Sequence, residues 1–148
     1  MNRVWAAIAA LSCVAPALAE TEAETTAQIL ALERRAMDGW QTGNPDPALA
    51  SSDSDITWFH VVTEKRIDGL TALKDVYERY RGMALFDSYE MVAPRVQFAG
   101  DVAILSYQFL YRRGEAASRW NVTEVYRRTK EGWRVIHSHF SQTRTDRP

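Results

Sequence analysis

Cysteine is nearly absent: Cys13 is the sole thiol in 148 residues. One thiol cannot close an intrachain disulfide, and it cannot build a thiolate-rich zinc site. An excess of charge of one sign is missing too, since 18 basic and 19 acidic residues leave a formal net charge of −1. The basic residues are scattered, whereas a nucleic-acid or anionic-membrane surface needs a concentrated positive patch. Seven glycines and five prolines form no internal repeat and no low-complexity linker. No glycine loop of the phosphate-cradling kind and no Ser or Cys nucleophile motif occurs, so no cofactor is expected. Beyond residue 19 no apolar run is long enough to cross a membrane, so no membrane anchor is expected in the rest of the chain.

What is present begins with a leader. Asn2-Arg3 give a positive start, Val4–Val14 are almost wholly apolar, and Ala17-Leu18-Ala19 place small residues where a signal peptidase reads. Acidic Glu20, Glu22 and Glu24 follow at once. Residues 1–19 therefore read as a secretory signal peptide, and 20–148 as one exported domain, periplasmic or secreted. A lipoprotein box wants leucine three residues before the cysteine, and Ala10 stands there instead. The remaining chain, about 129 residues, is long enough for a real core. Five tryptophans and six tyrosines supply its material.

Ile29, Leu32, Ala36 and Trp40 recur at helical spacing, with Glu33, Arg34 and Arg35 between them, and predict an amphipathic helix over Ala23–Gln41. Asn44-Pro45-Asp46-Pro47 opens a short helical segment through Ala50. Ser51–Asp55 reads as a turn, and Ile56–Val62 as a strand. Asp68 is expected to cap a third helix carrying Leu70, Leu73, Val76, Tyr77 and Tyr80, ended by Gly82. Pro94 places Tyr89–Phe98 at a sheet edge or a bulge. In Val102–Arg112, Leu105, Tyr107, Phe109 and Tyr111 share a face opposite Ser106, Gln108 and Arg112. The residues leave open which face lines a cavity.

Arg119–Thr143 reads as a long hairpin turning at Lys130-Glu131-Gly132. Strand alternation puts Trp120, Val122, Glu124 and Tyr126 on one face, so Glu124 is a carboxyl among apolar neighbours. It also puts Ile136, Ser138 and Phe140 on one face of the second arm, with Trp133, Val135, His137 and His139 on the other. Helices first and strands after give an α+β class: a curved antiparallel sheet wrapped around N-terminal helices as a cone with an internal cavity.

Three stretches carry a likeness to a known superfamily. They are Asp55-Ile56-Thr57-Trp58-Phe59-His60, Ile67-Asp68-Gly69-Leu70, and Glu124–Arg128 followed by Gly132–Ser141. Over roughly Ala23–Thr143 the chain resembles the nuclear transport factor 2-like, or SnoaL-like, α+β cone. Its motifs are most similar to those of bacterial relatives of the calcium/calmodulin-dependent protein kinase II association domain. The resemblance is specific for fold and broad for reaction, because this fold hosts many functions. It implies that His60 stands where ketosteroid isomerases place a general-base aspartate, and Glu124 where they place a protonated acid. Phe140 falls at their pocket tryptophan. Ala36 falls at their oxyanion tyrosine, so that donor is missing. The pocket arginines of the kinase domain are replaced here by Glu124, Phe140 and Phe109.

The candidate catalytic pair is therefore His60 and Glu124, facing an apolar hollow whose ligand contacts would be Trp40, Trp58, Tyr107, Trp120, Ser138 and Phe140. The expected ligand is a small, partly apolar organic molecule, acted on by acid–base chemistry or simply held. A non-catalytic oligomerisation or ligand-binding module is the alternative. His137 and His139 share a face, but zinc wants three or four ligands and His60 is expected across the sheet, so no metal site is expected. Those two histidines are expected to pack on an outer helix or a second subunit in an isologous homodimer. Asn121-Val122-Thr123 matches a glycosylation sequon only by chance, because it lies mid-strand behind a bacterial-looking leader.

Overall fold

Thr21 starts the first helix by a reciprocal box: its hydroxyl accepts the Glu24 N–H at 3.2 Å, and the Glu24 carboxyl accepts the Thr21 N–H at 2.8 Å. The computed structural model describes residues 20–143, so the leader and Cys13 lie outside the described residues. Helix α1, Glu22–Gln41, buries Thr25, Ile29, Glu33, Ala36, Met37 and Trp40, a stripe of threes and fours that includes one carboxyl. Gly43 ends it in the left-handed region at φ 73°, and a Cβ there would lie 2.7 Å from the Gly82 carbonyl carbon. The Gly82 N–H donates to the Gly43 carbonyl at 2.8 Å, which pins the end of the third helix to the end of the first.

Helix α2, Asp46–Ser51, leads directly into β1, Ser52–Phe59, with no intervening turn at residues 51–55. The polar start of β1 is held from outside, by Arg127 on Asp53 at 2.9 Å and on Asp55 at 3.0 Å. Strand β1 also stops earlier than composition implies, because His60 and exposed Val61 and Val62 turn away as the Thr63 N–H closes on the His60 carbonyl at 3.1 Å. Strand β2, Ile67–Asp68, pairs with β1, and α3 is Leu70–Glu78. Gly69, at φ 86°, is the cap of α3, while Asp68 is taken up by Arg66 at 2.6 Å.

Four long strands follow: β3 Ser88–Ala99, β4 Val102–Arg113, β5 Ala116–Thr129 and β6 Gly132–Gln142. The sheet runs β2-β1-β6-β5-β4-β3 and is curved and unclosed. It is antiparallel except where β1 lies parallel to β6, a pairing that the helical crossover of α3 and the β3–β5 meander make possible. Strand β3 is an edge, and its register shifts between Val92 and Arg95 around Pro94, with Ala93 at φ 49°.

A second irregularity changes the reading of the hairpin. Val125 faces His137 and Tyr126 faces Val135, so Ile136 is an extra residue without a partner. The bulge switches the faces: Trp133 and Val135 before it and Ser138 after it are all buried inward, with His137 and His139 turned outward. Strict alternation had put Trp133 and Val135 beside the histidines. One inserted residue reverses every side chain beyond it.

Trp133 is buried in the core, with Arg128 over its ring at 4.7 Å, yet among the described residues its indole N–H has no hydrogen-bond partner. Trp133→Phe removes that orphan donor and is expected to cost about 1.5 kcal/mol or less. Trp133→Ala is expected to cost about 3–5 kcal/mol in urea unfolding. Equal losses in both variants would show that the indole nitrogen is in fact satisfied.

Candidate functional site

The concave face and α1 enclose an open cavity of about 330 Å³, at the small end of the roughly 300–1,000 Å³ usual for ligand pockets. Each wall has a separate origin. Trp40 comes from α1, Trp58 and His60 from the end of β1, Tyr77 from α3, Trp120 and Glu124 from β5, and Ser138 and Phe140 from β6. Trp40 and Trp58 meet Tyr77 edge-on at 4.7 and 5.7 Å, so the roof is an interlocked aromatic set. Exposed Val61 and Val62 and the rim residue Arg113 border the opening.

His60 is gripped between two indoles. Its ring stacks 5.0 Å from Trp58 and 5.1 Å from Trp120, with Phe140 at 5.9 Å. Desolvation by these rings pushes the imidazole down to about 4, so it is neutral at physiological pH. The Val62 N–H donates to Nδ1 at 3.3 Å, which leaves the ring proton on Nε2.

The same cavity is lined by a buried acid pair that the sequence pattern did not bring out. Glu33 of α1 and Glu124 of β5 are 2% and 7% exposed and line the same cavity. The Tyr107 hydroxyl donates to Glu33 Oε1. The Tyr126 hydroxyl lies 2.8 Å from Glu124 Oε2 and 3.1 Å from Glu33 Oε2, and its single proton serves the nearer oxygen. Contact between the two carboxyls then requires a proton of their own. Burial first, and then the charge of Glu33 and a hydrogen bond to it, hold the Glu124 carboxyl well above the usual carboxylate range. Bonds from Tyr126 and Ser138 pull the other way without reversing this. Glu124 is the protonated member, donating to Glu33.

Tyr107 differs from expectation. It is buried behind Glu33 with its hydroxyl consumed there, and it supports the acid pair instead of lining the cavity. Glu33 did have a signal. It sits four residues after Ile29, three before Ala36 and four before Met37, on the buried stripe and not between helix faces. It stands one turn before Ala36, where the resemblance placed a tyrosine, on the same buried stripe. His137 and His139 are across the sheet from His60, with His137 Nδ1 2.8 Å from the Thr57 hydroxyl. The three histidines are not brought together.

The profile of the Calcium/calmodulin dependent protein kinase II association domain matches residues 25–144, which spans both carboxyls, His60 and all six strands. The chain belongs to this family. A structure from Parabacteroides distasonis ATCC 8503, provisionally described as a ketosteroid isomerase, is 30% identical with a TM-score of 0.71, covering 88% of this chain and 95% of that one. An NTF2-like protein of unknown function from Pseudomonas putida KT2440 is 21% identical with a TM-score of 0.74, over 87% and 100% of the two chains. The CaMKII hub of S. rosetta is 21% identical with a TM-score of 0.62, over 78% and 94%. At these identities the last two show the shared fold. No curated protein matches the chain at a significant level. The fold is thus shared with proteins of different descriptions, and the residues of this chain's own cavity must carry any chemistry.

Proposed function

We propose that this protein binds a small, partly apolar organic molecule in its cone cavity and acts on it by cofactor-independent proton transfer. His60 is the base and Glu124 the acid. The observation that carries this reading is the pairing of a neutral imidazole with a protonated carboxyl on one aromatic-lined hollow. Poising a base and an acid in one water-poor site is what isomerase, cyclase, dehydratase or hydrolase chemistry needs. A thermal-shift screen of small organic molecules finds the ligand, because binding to the folded state alone raises the unfolding temperature. For a turned-over ligand, His60→Ala and Glu124→Gln are each expected to lower the rate by about 10²–10⁴-fold with the fold intact. Full activity in both variants would remove the pair from the reaction.

Family membership and the hub structures favour a second reading, a homo-oligomerisation module. In it, the outer sheet face around Phe59, 41% exposed and 5.7 Å from the His139 ring, meets a second copy as an isologous dimer. A single-chain mass by light scattering would contradict it. Export is part of the proposal, resting on the leader at 1–19. The mature protein is then expected to begin at Glu20, in the periplasm or outside the cell, and an N-terminal mass retaining Met1 or Asn2 would contradict this.

A further inference from the structure

We infer that the cavity's ligand carries a basic nitrogen: it is a small arylalkyl amine whose ammonium group sits against Glu33 and Glu124 while its hydrocarbon part lies among the Trp58, Trp120 and Phe140 rings. This rests on the ligand-binding part of the reading above and narrows the ligand to one class, for which Glu124 gives up its proton on binding and does not keep it for a later acid step. The first ground is charge. The two carboxyls are almost completely buried side by side on one cavity, and their hydrogen-bond partners are neutral hydroxyls. Among the described residues, no ion pair includes either one, and those formed involve surface side chains. The cation on the lining is Arg113, exposed at the rim. Glu124 pairs with Leu105, so Arg113 lies eight residues along β4, roughly 26 Å of backbone away at 3.3 Å per residue. A buried anion without a cation is a large desolvation cost left open, and a ligand bringing positive charge offsets it.

The second ground is the cage. The negative faces of aromatic rings attract cations, most strongly when water is excluded, and here three indoles, three phenols and three phenyl rings line the hollow. Such a lining does nothing comparable for an anion. The third ground is what the pair disfavours. An oxyanion forming beside Glu124 would lie within a few ångströms of the Glu33 charge, which opposes it in a low dielectric. The electrostatics are those of an oxyanion hole with the sign reversed.

The proton balance is closed. A free amine takes the Glu124 proton directly: the O–H bond breaks, an N–H bond forms, and an ammonium faces two carboxylates. An amine arriving as ammonium instead releases that proton to solvent, one per molecule bound. The groups facing Glu124 are Glu33 from α1, Tyr77 from α3, Tyr107 from β4, Tyr126 on its own strand and Ser138 from β6, with His60 elsewhere on the cavity lining. Burial keeps all three tyrosine hydroxyls above their ordinary range and His60 is already unprotonated, so near pH 7.5 the released proton comes from the acid pair.

The test is calorimetric titration of the purified protein at pH 7.5 with three matched probes: 2-phenylethylamine, 2-phenylethanol and phenylacetate. Each is run in two buffers of different ionisation enthalpy to count protons. The amine is expected to bind at least ten-fold more tightly than the other two, with about one proton released. Proton release should vanish in Glu124→Gln, and amine affinity should fall ten-fold or more in Glu33→Gln. The wild-type probe ranking and proton count decide the matter even if a variant fails to fold. Binding of 2-phenylethanol as tight as the amine's would overturn the amine inference and leave the acid–base cavity standing. Tighter phenylacetate, amine binding without proton release, or no binding by any probe would also overturn it.

Discussion

Replacing Glu33 with alanine is expected to destabilise the fold by about 3–5 kcal/mol, from the buried polar groups it leaves short of a partner and the void it opens. Two effects oppose each other. Removing Glu33 relieves its repulsion of Glu124, which by itself stabilises. It also strips the acceptor from the Tyr107 hydroxyl, 5% exposed, takes one partner from Glu124, and opens a void between α1 and the sheet. Each buried polar group left without a partner costs about 1–3 kcal/mol, and the void adds to that. The losses win because the repulsion is already answered by the proton Glu124 keeps. Glu33→Gln retains shape and an accepting oxygen and is expected to cost less than half as much. Urea unfolding of both variants checks this, and a loss below about 1 kcal/mol for alanine would mean that water already reaches and satisfies the tyrosines.

The second large effect is a decline of stability with rising pH that a single residue controls. An unfolded Glu124 loses its proton around its ordinary 4.5, while the folded carboxyl keeps it to much higher pH. Between those points the folded state holds more protons, so stability falls as pH rises, by at most about 1.4 kcal/mol per pH unit. His60 acts in the opposite sense. Its folded value of about 4 lies below the ordinary 6.5, so its contribution is present above 6.5 and is lost as pH falls toward 4. His137, lowered by desolvation and then by the His139 and Arg66 charges, adds a weaker pull in the same direction. Stability is therefore expected to be nearly level from 4.5 to 6.5, where the two groups offset each other, and then to fall. In Glu124→Gln it should rise to 6.5 and stay flat; in His60→Phe the decline should begin near 4.5. The buried tyrosines matter only above about pH 10 and leave this window clear. Wild-type stability that climbs through the alkaline range, or a decline surviving Glu124→Gln, would place the retained proton elsewhere.

How far the sequence could be read depended on how local each feature is. Helix α1, the edge position of β3 around Pro94 and the faces of Val102–Arg112 were all legible, since propensity, proline geometry and alternation act within a few residues. The inward position of Glu124 was legible for the same reason. The polar segment at Ser52–Asp55 read as a turn because its backbone partner and the Arg127 guanidinium that holds it lie more than seventy residues away. Glu33 was set among surface charges because a carboxyl on a helix is usually solvated, and only Tyr107 and Tyr126, from other strands, make its burial tolerable.

By itself the sequence determined the α+β class, the helices-then-meander order, the aromatic character of the hollow and two of its ionisable groups. Tertiary structure alone decided that Ile136 bulges and turns Trp133 and Val135 inward, that Glu124 has a second carboxyl beside it, and that Tyr107 serves that pair instead of a ligand. The reason is one of range. Side-chain periodicity is set by the backbone of a single element, whereas a bulge, a shared proton and a buried charge exist only where separate elements meet and must satisfy one another's polar groups.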